Sequence, residues 1–266
     1  MVGADRTSPG RAWMIVGEWE LSDLWLGGRG LLLSLAFSVL LSLLTYLTAT
    51  NTALNFLEQR ESVNLTLQVA IAVGALLALL AAADTVSGER ERGTLETLLL
   101  APVPRVHLML GKLGGAFSLW LAAFAITIPY VWFLGRGVGI VGEALAAGAL
   151  VGTLLAVFLA SLGGLISVFA GSNRVSLSLN LFLLLALFAP TQFPTSAQQG
   201  WFGEFLLRAN PLTAGEHYVG KIVVDGHAWS QDASWLTAPI IAAALFALLA
   251  AVAGARFIRL NRGSFR

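Results

Sequence analysis

Residues 142–170 read GEALAAGALVGTLLAVFLASLGGLISVFA, and after Glu143 the stretch contains no charged side chain. A helix rises about 1.5 Å per residue, so roughly 20 such residues cross a hydrocarbon layer about 30 Å thick. Working outward, comparable runs occupy 30–50, 65–83, 108–134, 175–193 and 236–257. The 266-residue chain is 57% apolar and only 12% charged, about half the charge of an ordinary soluble globule. These runs predict an all-α, polytopic membrane protein with six transmembrane helices, forming a single transmembrane domain over 1–266.

The charges set the orientation. With the amino terminus inside, Arg6, Arg11, Arg29, Arg90, Arg92, Arg105, Lys112, Arg174, Arg256, Arg259, Arg262 and Arg266 all face the cytoplasm. Only Arg60, Arg136, Arg208 and Lys221 face out, so 12 of the 16 basic residues lie on one side. That asymmetry is the bias that fixes orientation during insertion, and it predicts cytoplasmic termini in the cell membrane. The stretch before the first run is too polar for a cleavable signal core. Its Trp13, Trp19 and Trp25, interleaved with Glu18, Glu20 and Asp23, suit an interfacial helix at 11–28, although no clean polar stripe forms on a helical wheel.

Several chemistries are disfavoured. Net charge is +1, so no basic surface points to nucleic acid, and the lack of cysteine removes disulfides, thiolate metal sites and cysteine nucleophiles. No ionisable group sits in the middle of a run, which argues against a pump carrying its own coupling ion. Gln68 and Asn180 are the polar exceptions, read as interhelical hydrogen bonds rather than substrate contacts. An intramembrane protease needs a serine and a histidine at membrane depth, but His107, His217 and His227 fall in loops or run ends. His217 and His227 with Glu216 and Asp225 have no recognisable metal-ligand spacing, so neither a catalytic nor a metal site is expected.

The fourth run holds small residues at every fourth position: Ala144, Gly148, Gly152, Ala156, Ala160 and Gly164. Such a row lets two helix backbones approach closely in lipid. The neighbour is either another helix of this chain or a second copy.

The linker between the second and third runs differs from its surroundings. It reads SGERERGTLETLLLAPVPR over 87–105, with Gly111-Lys112 following. Leu95, Leu98 and Leu99 share a helical face with Val103, and Glu89, Arg92 and Glu96 line another, predicting an amphipathic cytoplasmic helix ended by Pro102 and Pro104. This run resembles the signature of the ABC type-2 exporter permeases, with its E-x-E-x-G-T-x-E core, leucine run, proline turn and basic residue before the third span. The resemblance implies that Glu89, Arg90, Glu91, Arg92, Gly93, Thr94, Leu95 and Glu96, within a coupling segment at 84–105, dock on an ATPase subunit. It further implies that 194–235, with its Trp201–Leu207 patch, is an extracytoplasmic loop of re-entrant helices.

No G-x-x-x-x-G-K-[ST] sequence occurs, so this chain has no P-loop for ATP. The resemblance therefore implies a separate ABC ATPase that binds ATP and Mg, with two ATPases and two permeases, identical or paralogous, in the bilayer-embedded assembly. The expected function is outward substrate movement. Alternatives are a permease-like subunit that delivers a lipid, haem or metal species to a maturation partner, or a non-transporting membrane scaffold.

Overall fold

A computed structural model describes residues 12–50, 56–100, 103–192 and 200–258; Arg6, Arg11, Pro102, Pro194, Arg259, Arg262 and Arg266 lie outside them. Among the described residues all regular structure is helical. In chain order the α-helices are α1 (Ala12–Leu26), α2 (Arg29–Ala49), α3 (Phe56–Asp84), α4 (Ser87–Arg92), α5 (Leu95–Leu100), α6 (Arg105–Gly135), α7 (Val141–Phe169), α8 (Asn173–Phe188), α9 (Trp201–Ala209), α10 (Pro211–Val223) and α11 (Thr237–Phe257).

Five of these, α2, α3, α6, α7 and α11, are long and apolar enough to span a membrane. The sixth expected crossing is not a helix of that length. Its α-helix α8 has 16 residues, about 24 Å of rise, and Ala189–Gln192 continues it as a 3-10 turn. Pro190 within that turn supplies no N–H to an α-helical ladder, which accounts for the change.

The core is built around α7. Its faces pack on α3, α6, α10 and α11, and Val151, Leu155, Ala156 and Leu159 are buried. The small-residue row lies inside this packing. Ala144, Ala156 and Ala160 are buried, and the three glycines are filled by side chains of the same chain. A methyl group on Gly148 would stand 2.5 Å from Leu67, one on Gly152 would stand 2.1 Å from Trp120, and one on Gly164 would stand 2.6 Å from Met109. The glycines of this stripe are occupied by side chains of α3 and α6.

Trp120 is the wedge between α3 and α7. Its indole lies over Gly74 on one side and Gly152 on the other, and its Nε1 donates to Thr153 Oγ1 at 3.2 Å. A large rigid ring set against two glycines gives the contact area that lipid-embedded helices need in place of a hydrophobic driving force.

The outer surface of the bundle is apolar. Leu32 and Leu35 on α2 are 69% and 67% exposed, and Ile241 and Leu248 on α11 are 64% and 63% exposed. Rows of exposed leucine along helices of membrane-spanning length suit a hydrocarbon surrounding. α2 holds to the bundle by Phe37 and Leu41, and by Ser38 and Ser42, whose hydroxyls meet Tyr130 Oη at 3.1 and 2.8 Å.

α1 is a docked helix, and its contacts explain the missing polar stripe. It runs along the first half of α6, where Val16 meets Gly111, Glu20 meets Gly115 and Trp25 Nε1 donates to Ser118 Oγ at 3.0 Å. Polar and apolar side chains alternate on the buried face because α6 offers glycines and a hydroxyl there. The chain then reverses into α2 through Gly28, whose φ of 81° favours glycine.

Candidate functional site

The linker between α3 and α6 is two six-residue helices, not the single amphipathic rod expected over 89–100. The break is at Gly93, with φ 72°. Gly93 N donates to Arg90 O at 3.3 Å and Thr94 N to Glu89 O at 3.0 Å, the paired bonds of a Schellman cap. Glycine there closes α4 and redirects the chain, so the leucine face of α5 is no longer in phase with the charged face of α4.

The four charges of Glu89–Arg92 reach four different places. Glu89 points inward: its Oε1 lies 3.3 Å from Lys112 Nζ on α6 and its other oxygen accepts from the Thr94 hydroxyl. Arg90 donates to the carbonyls of Val168, at 3.1 Å, and Ala170, the unpaired C-terminal groups of α7. Glu91 accepts from Asn173 N at 2.9 Å in the first turn of α8, where a negative charge suits the helix dipole. Arg92 lies 3.4 Å from Asp84 Oδ2 at the end of α3, an oxygen it shares with Arg29 of α2, also at 3.4 Å.

Leu95 is buried against Val86, Met109, Val168, Ala253 and Ile258, which pins α5 to the bundle. Arg92, Gly93, Thr94, Glu96, Thr97 and Leu100 face outward. Of these, Leu100 is 82% exposed, and Glu96 has no ion-pair partner among the described residues.

Sequence reading missed the far half of this clasp. Lys112 is buried, and besides Glu89 it pairs with Glu20 of α1 at 2.5 Å. A lysine two turns inside an apolar helix was the available signal, because a buried ammonium requires partners. Ser167 of α7 accepts from the backbone N–H of Val86 and Ser87 at 3.0 and 2.9 Å, and Ser176 of α8 donates to Ala83 O at 2.7 Å. A methyl group on Gly88 would stand 2.0 Å from Asp84 Oδ1, so any larger residue there would displace that carboxylate. Between α1, α3, α4 and α6 the clasp encloses a cavity of about 320 Å³, lined by Glu20, Asp23, Arg29, Asp84, Glu89 and Lys112 among others.

At the other end of the bundle, α9 and α10 form the segment before the last long helix. Trp201, Phe202 and Phe205 are exposed on α9, whereas Leu212, Tyr218, Val219 and Ile222 of α10 are buried. Asn210 joins the two helices. Its Nδ2 donates to Leu187 O at the end of α8, and its Oδ1 caps α10 by accepting from Leu212 N at 2.9 Å. The histidines stand apart: His217 stacks on Trp235 with centroids 4.0 Å apart, and His227 Nδ1 meets Asp232 at 2.7 Å. Among the described residues no three His, Asp or Glu side chains gather as metal ligands. Burial pushes the Glu216 carboxyl up to about 7. Burial, then the nearby Lys221 charge, lowers the His217 imidazole, while the hydrogen bond from Lys221 holds Asp225 below its ordinary value.

Lipid-facing leucines on five long helices, closed at one end by a polar clasp, define a multi-pass helical membrane protein. Residues 20–253 match the family described as ABC-2 family transporter protein, and the chain belongs to that family: it is the membrane permease subunit of an ABC transporter. No curated protein matches the chain.

Proposed function

We propose that α4 and α5 receive mechanical work from a separate ABC ATPase and that the permease uses it to move a substrate outward. The observation that carries this reading is the distribution of the linker's charges. Four consecutive residues, Glu89 to Arg92, are tied to α6, α7, α8 and α3, and the shared partners Lys112 and Asp84 extend the ties to α1 and α2. A displacement applied to the exposed Glu96, Thr97 and Leu100 therefore reaches six helices through direct polar contacts, of which those of Glu89, Arg90 and Lys112 are buried or partly buried. A solvated loop has no need of such ties.

The charge asymmetry of the sequence supports a cytoplasmic clasp and cytoplasmic termini. In this orientation α1 lies at the inner membrane surface with Met14, Ile15 and Trp19 toward lipid. α8 completes a sixth crossing: its rise of about 24 Å and about 8 Å from the 3-10 turn match the hydrocarbon thickness. The ATPase supplies the P-loop, ATP and Mg, and two permease copies, identical or paralogous, complete the pathway.

The test is affinity purification of the tagged permease from its native membranes. The wild type is expected to retain an ATP-binding subunit in stoichiometric amount, and Glu96→Lys or Leu100→Asp to lose it while still inserting. Undiminished ATPase retention by both variants would overturn the assignment of this surface. Recovery of other membrane proteins without any ATPase would point to a scaffold instead.

A further inference from the structure

We propose that the cavity between α3, α9 and α10 is a binding site for a small organic cation, whose ammonium group sits on the Glu216 carboxylate. The cavity lies at the end of the bundle away from the clasp and measures about 480 Å³, within the roughly 300–1,000 Å³ typical of small-molecule sites.

Polar groups without partners gather at this cavity. Glu216 is half-buried in the cavity wall and has no hydrogen bond or ion pair among the described residues. Thr213, one turn earlier on α10, lines the same cavity, and its hydroxyl oxygen is buried and unpartnered. Asn64 of α3, beside Gly220 and one turn from the cavity-lining Gln68, has a buried, unpartnered carbonyl oxygen. Buried polar atoms are almost always paired in folded proteins, so these two oxygens, one in the cavity wall and one a turn behind it, beside an unpaired carboxylate suit a ligand that brings N–H groups.

The cations around the cavity are already engaged. Lys221 pairs with Asp225 at 2.8 Å, and Arg208 pairs with Glu204 at 3.0 Å while lying over Trp235. Arg60 of α3 donates to the carbonyls of Val223 and Val224 at 3.4 Å. His217 faces Trp235, and burial favours its neutral form. Asp232 in the following loop pairs with His227. An anion would meet an uncompensated carboxylate here. A bare metal ion would find too few ligands, since among the described residues no three metal-ligating side chains gather. Leu207, Val224 and Trp235 supply apolar walls for the carbon skeleton of an organic cation.

Because burial holds the Glu216 carboxyl at about 7, the cation competes with a proton. The binding-competent, ionised fraction rises about tenfold between pH 6 and pH 8, and the apparent affinity rises with it.

The experiment is calorimetric titration of the full-length protein in lipid nanodiscs with spermidine, butylammonium and phenethylammonium, and with uncharged phenethyl alcohol. At least one ammonium is expected to bind, about tenfold tighter at pH 8 than at pH 6, and the alcohol not to bind. Glu216→Gln, which keeps the shape and removes the charge, is expected to lose at least tenfold in affinity and the pH dependence, and Thr213→Val a smaller factor. Binding that is equal in Glu216→Gln and wild type, equal binding of the alcohol, or no binding by any of the three ammoniums would overturn the proposal. ATPase retention by the same preparation reports separately on the clasp, so either reading can fail alone.

Discussion

Lys112 illustrates how one buried charge holds a polar junction inside an apolar bundle. Its ammonium is almost fully enclosed and faces Glu20 and Glu89 from two other helices. Removing one partner of a buried ion pair strands the other in a medium that cannot solvate it, typically costing 3–5 kcal/mol. Lys112→Met is therefore expected to destabilise the protein by about 3 kcal/mol in detergent unfolding. The triple variant with Glu20→Gln and Glu89→Gln should recover most of that loss, because no charge is left unpaired. A loss below about 0.5 kcal/mol for the single variant would mean that solvent screens the cluster. Glu216 makes the opposite case, a half-buried carboxyl with no hydrogen-bond or ion-pair partner among the described residues. Its folded-state value of about 7 lies above the ordinary 4.5, so the folded form holds a proton that the unfolded form releases. Stability is then unaffected by this group below pH 4.5, falls as pH rises toward 7, and levels off above it, by an amount on the order of 3 kcal/mol. Apparent melting temperatures across this range should show the decline in the wild type and a flatter profile in Glu216→Gln.

Between helices, the decisive contacts are glycines opposite large side chains. Gly152 has no room for a methyl group beside Trp120, whereas Gly142 on the same helix has nothing within 4 Å. Gly152→Ala is expected to cost about 1–3 kcal/mol as Trp120 or α7 shifts, and Gly142→Ala to leave stability unchanged or slightly improved. Thermal unfolding of the two variants side by side checks this, and Trp120→Phe should relieve part of the Gly152→Ala loss. The period-four row was plain in the sequence because helix geometry alone puts those residues on one stripe. What filled the row was not, since Leu67, Trp120 and Met109 are distant in sequence and nothing local marks them as its partners. The linker shows a related limit. Its amphipathic period was legible, but Gly93 in the left-handed conformation splits it, and the choice between a helix interior and a cap there depends on what anchors each side.

The chain contains no cysteine, so single-cysteine variants report topology directly. Thr97 on α5 is exposed at the clasp end, and Gln231 is exposed in the loop that follows α10. Thr97→Cys is expected to react with an impermeant maleimide only after the membrane is opened, and Gln231→Cys to react in intact cells. Labelling of Thr97→Cys from outside would invert the orientation and remove the clasp from reach of a cytoplasmic ATPase. Gln231→Cys protected from outside label would place the Glu216 cavity on the inner side.

Sequence alone determined the solvent and the class of this protein. Apolar runs of about 20 residues must be helices in lipid, where every backbone group needs an internal partner, and the SGERERGTLET run carried the family resemblance. Length along the chain also located the linker and the segment around α9 and α10. Tertiary structure decided the rest: that the fifth run is a short helix with a 3-10 extension, that the small-residue row packs within the chain, and that Glu89 to Arg92 face four partners instead of one solvent. The reason is common to all three. Spacing in sequence reports the face on which a side chain lies, but the energy of a buried charge or a helix crossing depends on which distant residue occupies the space opposite it.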